Sequence, residues 1–151
     1  PICGAGKEKT IFETEGIDRV VSILPEVHDV RIEGFTIRYT GDTEELAYGV
    51  YVGSVRQGRN SYRILIDDIR VERFSVHGVS LRDCHHVLVQ NSEFADATNV
   101  GGGGHGYGIA LNYPTNHNNW IRNNTIGPMI RHAVLIQYEA HNNLVEHNFF
   151  F

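Results

Sequence analysis

Cysteine is nearly missing from this chain: Cys3 and Cys84 are its only two. That is too few for a disulfide scaffold, and they form no zinc-ligand spacing. No apolar run approaches the roughly 20 residues needed to cross a bilayer, and the first residues lack the charged-then-apolar layout of a secretory signal. Basic residues are in deficit, 13 Lys and Arg against 18 Asp and Glu, for a net charge of −5. Without a global basic field, neither nucleic acid nor an anionic membrane is an expected partner. Helical periodicity is lacking as well, since no segment sustains apolar residues at i, i+3, i+4 and i+7.

What is present is 151 residues with 41% hydrophobic content, enough for one core and too short for two. The chain is therefore read as a single domain over residues 1–151. It opens on Pro1 rather than Met, so a processed product or a piece of a longer chain is expected.

The dominant signal is an internal repeat. An apolar-x-apolar triplet recurs at Val21-Ser22-Ile23, Val50-Tyr51-Val52, Val79-Ser80-Leu81, Ile109-Ala110-Leu111 and Val134-Leu135-Ile136. After each comes a six-residue segment: Ile32 to Ile37, Ile66 to Val71, Val89 to Phe94, Ile121 to Ile126 and Val145 to Phe150. These five superpose without gaps. Their first residues stand 34, 23, 32 and 24 positions apart, which suits a coil of short strands. No rung can bury its own apolar face, so consecutive rungs must stack in parallel. The stacking predicts three inward columns: Val21/Val50/Val79/Ile109/Val134, Ile23/Val52/Leu81/Leu111/Ile136 and Ile32/Ile66/Val89/Ile121/Val145. The fold class is all-β, a right-handed single-stranded parallel β-helix of about five to six rungs, roughly 24 Å long at about 4.8 Å per rung.

At this point the sequence resembles the pectin-lyase-like β-helix superfamily over nearly its whole length. Gly4-Ala5-Gly6-Lys7-Glu8-Lys9-Thr10-Ile11 is similar to the opening rung of such proteins, and Gly108-Ile109-Ala110-Leu111 through Asn119 to Asn124 to their standard coil. The resemblance implies a β-helix. It leaves activity open among lyases, hydrolases, epimerases and structural fibres. It also implies an acidic polysaccharide as partner and an extracellular or periplasmic location. The rung end at Phe149, Phe150 and Phe151 would leave an unpaired sheet edge, so more chain, or self-association through open ends, is expected.

Rungs differ in length through insertions, where function tends to sit. Arg38 to Ala47 and Ala95 to Gly106 both precede the first strand of the next rung and should overhang one face; Arg56 to Ser61 is a third. Alternation places Val20/Gly49/Gly78/Gly108/Ala133 outward on that face, beside Ser22/Tyr51/Ser80/Ala110/Leu135 and Leu24/Gly53/Arg82/Asn112/Gln137. The expected surface is a shallow floor of small residues with Tyr51, Arg82, Asn112 and Gln137 to bind a sugar chain. Small residues would equally suit a tight corner.

Arg131-His132 enters the same edge, with Tyr48, His77 and Tyr107 in register with His132 and His105 just before Tyr107. The stretch from Arg131 to Ile136, with Asn142 to Asn148, resembles the Arg-His rung of alginate epimerases, without their Asp-Pro-His signature. Removing a proton beside a uronate carboxylate needs a cation to neutralise the carboxylate, a base and an acid. Arg131 or Arg82 suits the first role; His132, His105 and Tyr107 suit proton exchange. The candidate catalytic residues are thus Arg131, His132, His105 and Tyr107. A purely structural ring ladder is the competing account of the column.

Other signals carry less. The Asn-rich stretches fit turns and amide ladders, and Asn124 and Asn148 share a register. Gly101 to Gly104 lacks the Lys-Ser/Thr of a phosphate loop. His85 and His86 should diverge, so no metal site is expected there. Calcium is permitted by ligand type at Asp42, Glu44, Glu45 or Asp96, and no other cofactor is implied. The rival to an acidic-polysaccharide lyase or epimerase is a non-enzymatic structural or surface module.

Overall fold

The computed structural model describes residues 1–41, 47–54 and 58–151. Among them the chain forms fifteen strands and no helix. One sheet stacks β3 (Arg19–Ile23), β5 (Tyr48–Gly53), β7 (His77–Arg82), β10 (Tyr107–Asn112) and β13 (His132–Gln137), all parallel. The other sheet folds around a corner. Its two long strands, β4 (His28–Tyr39) and β6 (Ser61–Glu72), supply two faces each. Later rungs split into β8 (Cys84–Gln90) and β9 (Glu93–Ala95), β11 (Trp120–Arg122) and β12 (Thr125–Ile126), and β14 (Leu144–Glu146) and β15 (Phe149–Phe150). Residues Ile2–Cys3 (β1) and Ile11–Thr14 (β2) pair with the two halves of β4 and complete an opening rung. The result is a three-faced coil of parallel strands. A crossover between parallel strands is right-handed by the twist of the strands.

The expected columns are the observed pairings. Val21, Val50, Val79, Ile109 and Val134 are consecutive partners, as are Ile23, Val52, Leu81, Leu111 and Ile136. Ile32, Ile66, Val89, Ile121 and Val145 form the third column. Across the inner rungs these residues are fully buried, and each large aliphatic side chain so buried contributes about 1.5–3 kcal/mol.

A strand alternates faces, yet Ile32 and Ile37, five positions apart, both point inward. The corner between them resolves the parity. Gly34, Asp68, Asn91, Asn123 and His147 occupy the same place on successive rungs and all have positive φ, between 48° and 71°. One left-handed residue shifts the alternation by one, which is why Gly, Asp and Asn dominate the position. A second left-handed column, Asp29, Arg63, His86, Asn118 and Asn142, turns the chain at another corner.

Asn side chains seal the inside of these turns. Asn124 Oδ1 accepts from Ser92 N at 3.1 Å, and Asn148 Oδ1 from Asn124 N at 3.0 Å. Their amide nitrogens donate to Val89 O and Ile121 O. Asn119 and Asn143 repeat the device, accepting from Val87 N and Asn119 N. The amide-ladder reading of these Asn stretches therefore holds, with the amides of Asn119, Asn124, Asn143 and Asn148 matched to backbone.

The glycine floor expected outside the coil lies inside it. A methyl built on Gly49 would sit 2.4 Å from the Val71 side chain, one on Gly78 2.6 Å from the Phe94 ring, and one on Gly108 2.7 Å from Ile126. These positions face the opposite wall of the core, where only glycine lets the two faces close. Alternation misplaced them: these glycines at the strand starts meet core side chains of the neighbouring sheet, Val71, Phe94 and Ile126.

Candidate functional site

The outer side of the five-stranded sheet carries a cleft of about 490 Å³. Tyr48, His77 and Tyr107 line one side; Arg82, Asn112, Gln137, Tyr113 and Tyr138 line the other; Gly103, Gly104 and His105 complete it. Two features of the sequence build it. Strand register lines up Arg82, Asn112 and Gln137 at one strand end and His77, Tyr107 and His132 at the other. The insertion before β10 then brings its glycines over the same face, as its position predicted. The other insertion supplies no observation: Asp42 to Leu46 lie outside the described residues, and so do Val55 to Gln57.

The edge column is a ladder of rings in contact. Tyr48 meets His77 edge-on at 5.3 Å between ring centroids, His77 stacks on Tyr107 at 5.1 Å and 19°, and Tyr107 meets His132 at 5.1 Å and 51°. His77 is 3% exposed. Burial, reinforced by the Arg82 charge, presses its imidazole down to about 3, against a hydrogen bond to the Gly104 backbone. The ring is therefore neutral near pH 7. Its Nδ1 is buried without a partner.

Across the cleft, Asn112 Oδ1 accepts from Gln137 Nε2 at 2.5 Å, while Asn112 Nδ2 is buried without an acceptor. Arg82 Nε reaches Ser80 Oγ at 3.4 Å, and its guanidinium lies 5.6 Å from the Tyr51 ring and 5.9 Å from the Tyr113 ring. Tyr113 and Tyr138 stack at 5.8 Å and 19°. Both have positive φ, 84° and 54°.

Five of the eight expected site residues, Arg82, Asn112, Gln137, His105 and Tyr107, thus share one cleft. Tyr51 does not line it. It is 2% exposed, under the Arg19 guanidinium at 4.0 Å. Arg131 and His132 sit beyond Tyr107, beside a separate hollow of about 570 Å³ whose other walls are Ala133, Val134, Ile136, Val145 and Phe150. Arg131 Nη1 donates to Gly101 O at 2.6 Å, which ties its side chain to the glycine loop. His77, Tyr113 and Tyr138 were not singled out as site residues. Register pointed to His77, whereas the tyrosines lie just past the strand ends, at positive-φ positions that strand alternation does not reach.

A second ring ladder climbs another corner. His28 stacks on Tyr62 at 4.8 Å, Tyr62 on His85 at 5.2 Å, His85 on His117 at 4.9 Å and His117 on His141 at 5.4 Å. His85 and His86 do not diverge: their Nδ1 atoms are 2.7 Å apart, because His86 is left-handed, with φ of 54°. Among the described residues no three His, Cys, Asp or Glu side chains are arranged to hold a metal, and the calcium candidate Asp96 is an exposed residue at a positive-φ turn. Both cysteines are free; Cys84 is buried, its thiol pushed up by desolvation.

A family model described as the right-handed beta helix region matches residues 48–151. No curated protein and no solved structure matches the chain significantly. The match covers more than two thirds of the sequence and all of the cleft's lining. With its register, corners and core already those of a coiled parallel sheet, the chain belongs to the right-handed β-helix family.

Proposed function

We propose that the cleft binds an acidic polysaccharide and acts on it by β-elimination or epimerisation. The observation that carries this reading is the cleft's polarity: among the described residues its lining contains the Arg82 guanidinium and no carboxylate, although the chain as a whole is acidic. A uronate carboxylate placed against Arg82 would be neutralised there, which lowers the barrier to removing the neighbouring C–H proton. Asn112 and Gln137 offer amides to sugar hydroxyls, and the Tyr113–Tyr138 pair offers ring faces. His105 and Tyr107, both in the lining, would exchange protons. One takes the proton from carbon; the electron pair then either expels the glycosidic oxygen, which the other protonates, or is reprotonated on the opposite ring face. Arg131 serves this site through the loop it holds.

A structural surface module is the second reading, favoured by the two uninterrupted ring ladders. The experiment that separates them incubates the purified protein with alginate, pectate and glycosaminoglycans. Ultraviolet absorbance follows unsaturated uronates, and solvent-proton exchange follows epimerisation. Turnover that falls about a hundredfold in Arg82→Ala supports the enzyme. Turnover unaffected by that change moves the site elsewhere, and neither turnover nor glycan binding by the wild type favours the structural module.

A further inference from the structure

The corner amides described above are matched to backbone, and one column is not. Ser61 pairs with Cys84 and His85 with His117, so counting back one and two residues places Asn60, Asp83 and Thr115 on consecutive rungs at the same corner. Asn60 Oδ1, Asp83 Oδ1 and Thr115 Oγ1 are all buried oxygens without a hydrogen-bond partner. Asp83 is 0% exposed. Its other oxygen, Oδ2, accepts from Arg59 N at 2.8 Å, and no ion pair joins it to a Lys, Arg or His among the described residues.

We infer that this column is a binding site for a hard, oxygen-seeking cation of the size of calcium or sodium. The chemistry is one-sided: a carboxylate oxygen and an amide oxygen can only accept, and the hydroxyl can accept as well as donate. A buried carboxylate oxygen without a donor is costly, and a cation removes that cost. The spacing also fits. Oxygens stacked at the rung repeat of about 4.8 Å leave about 2.4 Å to an ion midway between Asp83 Oδ1 and Thr115 Oγ1, within the calcium–oxygen range, with Asn60 Oδ1 one rung further off and reached through water. Backbone carbonyls and water would complete its shell. Asp83 directly follows Arg82, and a methyl on Gly53 would fall 1.6 Å from Arg82 O, so the ion would brace the crowded strand end that presents Arg82 to the cleft. The site is separate from Asp96 and does not depend on what the cleft binds.

The test is equilibrium dialysis and thermal unfolding of the chelator-stripped protein in alkali-free buffer, titrated with calcium, sodium or magnesium. Saturable uptake of about one calcium or sodium ion per chain, with a rise of several degrees in the unfolding midpoint, is expected. Asp83→Asn keeps the shape and the bond from Arg59 N but removes the charge, and should weaken uptake by about tenfold or more. Should that variant fail to fold, Thr115→Val, which deletes one oxygen at nearly constant volume, must still weaken uptake. No uptake by the wild type, or uptake unchanged in the folded variants, would overturn the inference: water or a proton would then satisfy the column, or the ion would lie elsewhere.

Discussion

The two ring ladders are built by the same rule and live in different surroundings. In both, rings in register lie 4.8–5.4 Å apart between centroids, face to face throughout the His85 column and by turns edge-on, stacked and tilted in the His77 column. The ladder through His77 and Tyr107 is buried on the inner rungs and forms a side of the cleft. The ladder through Tyr62, His85, His117 and His141 runs along the surface. Protonation reads the difference. Burial, with the charge of Arg82, presses His77 to about 3, whereas His85 and His117 are lowered by partial burial and by neighbouring imidazoles. Stacking alone is therefore a property of the coil. What marks a candidate site is stacking joined to burial, an unmatched nitrogen and a cation across the gap.

The largest break in that comparison should come from deleting one ring in each ladder. His77→Ala leaves a cavity between Tyr48 and Tyr107 and should cost about 3 kcal/mol in urea unfolding, while His117→Ala, at a partly exposed position, should cost under about 1 kcal/mol. Equal losses would mean that the ladders are equivalent. His77→Phe keeps a ring and removes both the unmatched Nδ1 and the hydrogen bond to the Gly104 backbone, opposing effects that should leave its stability at pH 7 within about 1.5 kcal/mol of wild type. Any contribution of Nδ1 to glycan binding would still be lost.

Lowering the pH sharpens the same contrast. A histidine whose folded pKa is depressed binds its proton more readily unfolded, so the stability it contributes is present above about 6.5 and is lost as pH falls toward its folded value. For His77 that window runs from about 6.5 down to about 3, at about 1.4 kcal/mol per pH unit. His85 and His117 act in the same direction. Between pH 6 and pH 4, unfolding free energies of His77→Phe should decline less steeply than wild type by about one proton's worth. His117→Ala should flatten the decline less. An unchanged slope in His77→Phe would show that the buried imidazole is not the group titrating.

The repeat made the fold legible because the core imposes it: an inward column tolerates only apolar side chains, and five rungs repeat the same choice. The cleft was half legible for the same reason. Arg82, Asn112, Gln137 and Tyr107 follow from strand register, and His105 from the placement of its insertion. Gly49, Gly78 and Gly108 were misplaced because strict alternation does not register the core side chains that crowd the strand starts, and His85 and His86 were expected to part because the left-handed His86 breaks the two-residue period. Arg131 was singled out because its charge and its neighbour His132 are visible in the sequence; its carbonyl partner, Gly101 O, is set by the path of a glycine loop, which has no period to read.

That loop gives a prediction of intermediate size. Arg131→Ala removes the bond to Gly101 O and should leave core stability within about 0.5 kcal/mol, while cleavage by a nonspecific protease at 101–104 becomes faster and glycan affinity falls less than in Arg82→Ala. Affinity lost as fully as in Arg82→Ala, with the loop still protected, would return Arg131 to direct contact with substrate.

The smallest effect belongs to the outer ladder's own cation. Arg63 makes two hydrogen bonds to Asp29, both at 2.6 Å, and its guanidinium lies 4.7 Å from the Tyr62 ring. Chiefly through Arg63, and next His28, the Asp29 carboxyl is held well below the usual carboxylate range. On paper this is better paired than Arg82, whose guanidinium has one long bond to Ser80. Yet the pair stands in solvent, where water and salt replace it at little loss. Arg63→Ala should therefore leave the urea midpoint and glycan binding unchanged within error, and added salt should not distinguish the variant from wild type. A clear loss of binding in Arg63→Ala would show that the outer ladder also takes substrate, and that burial is not what separates the two.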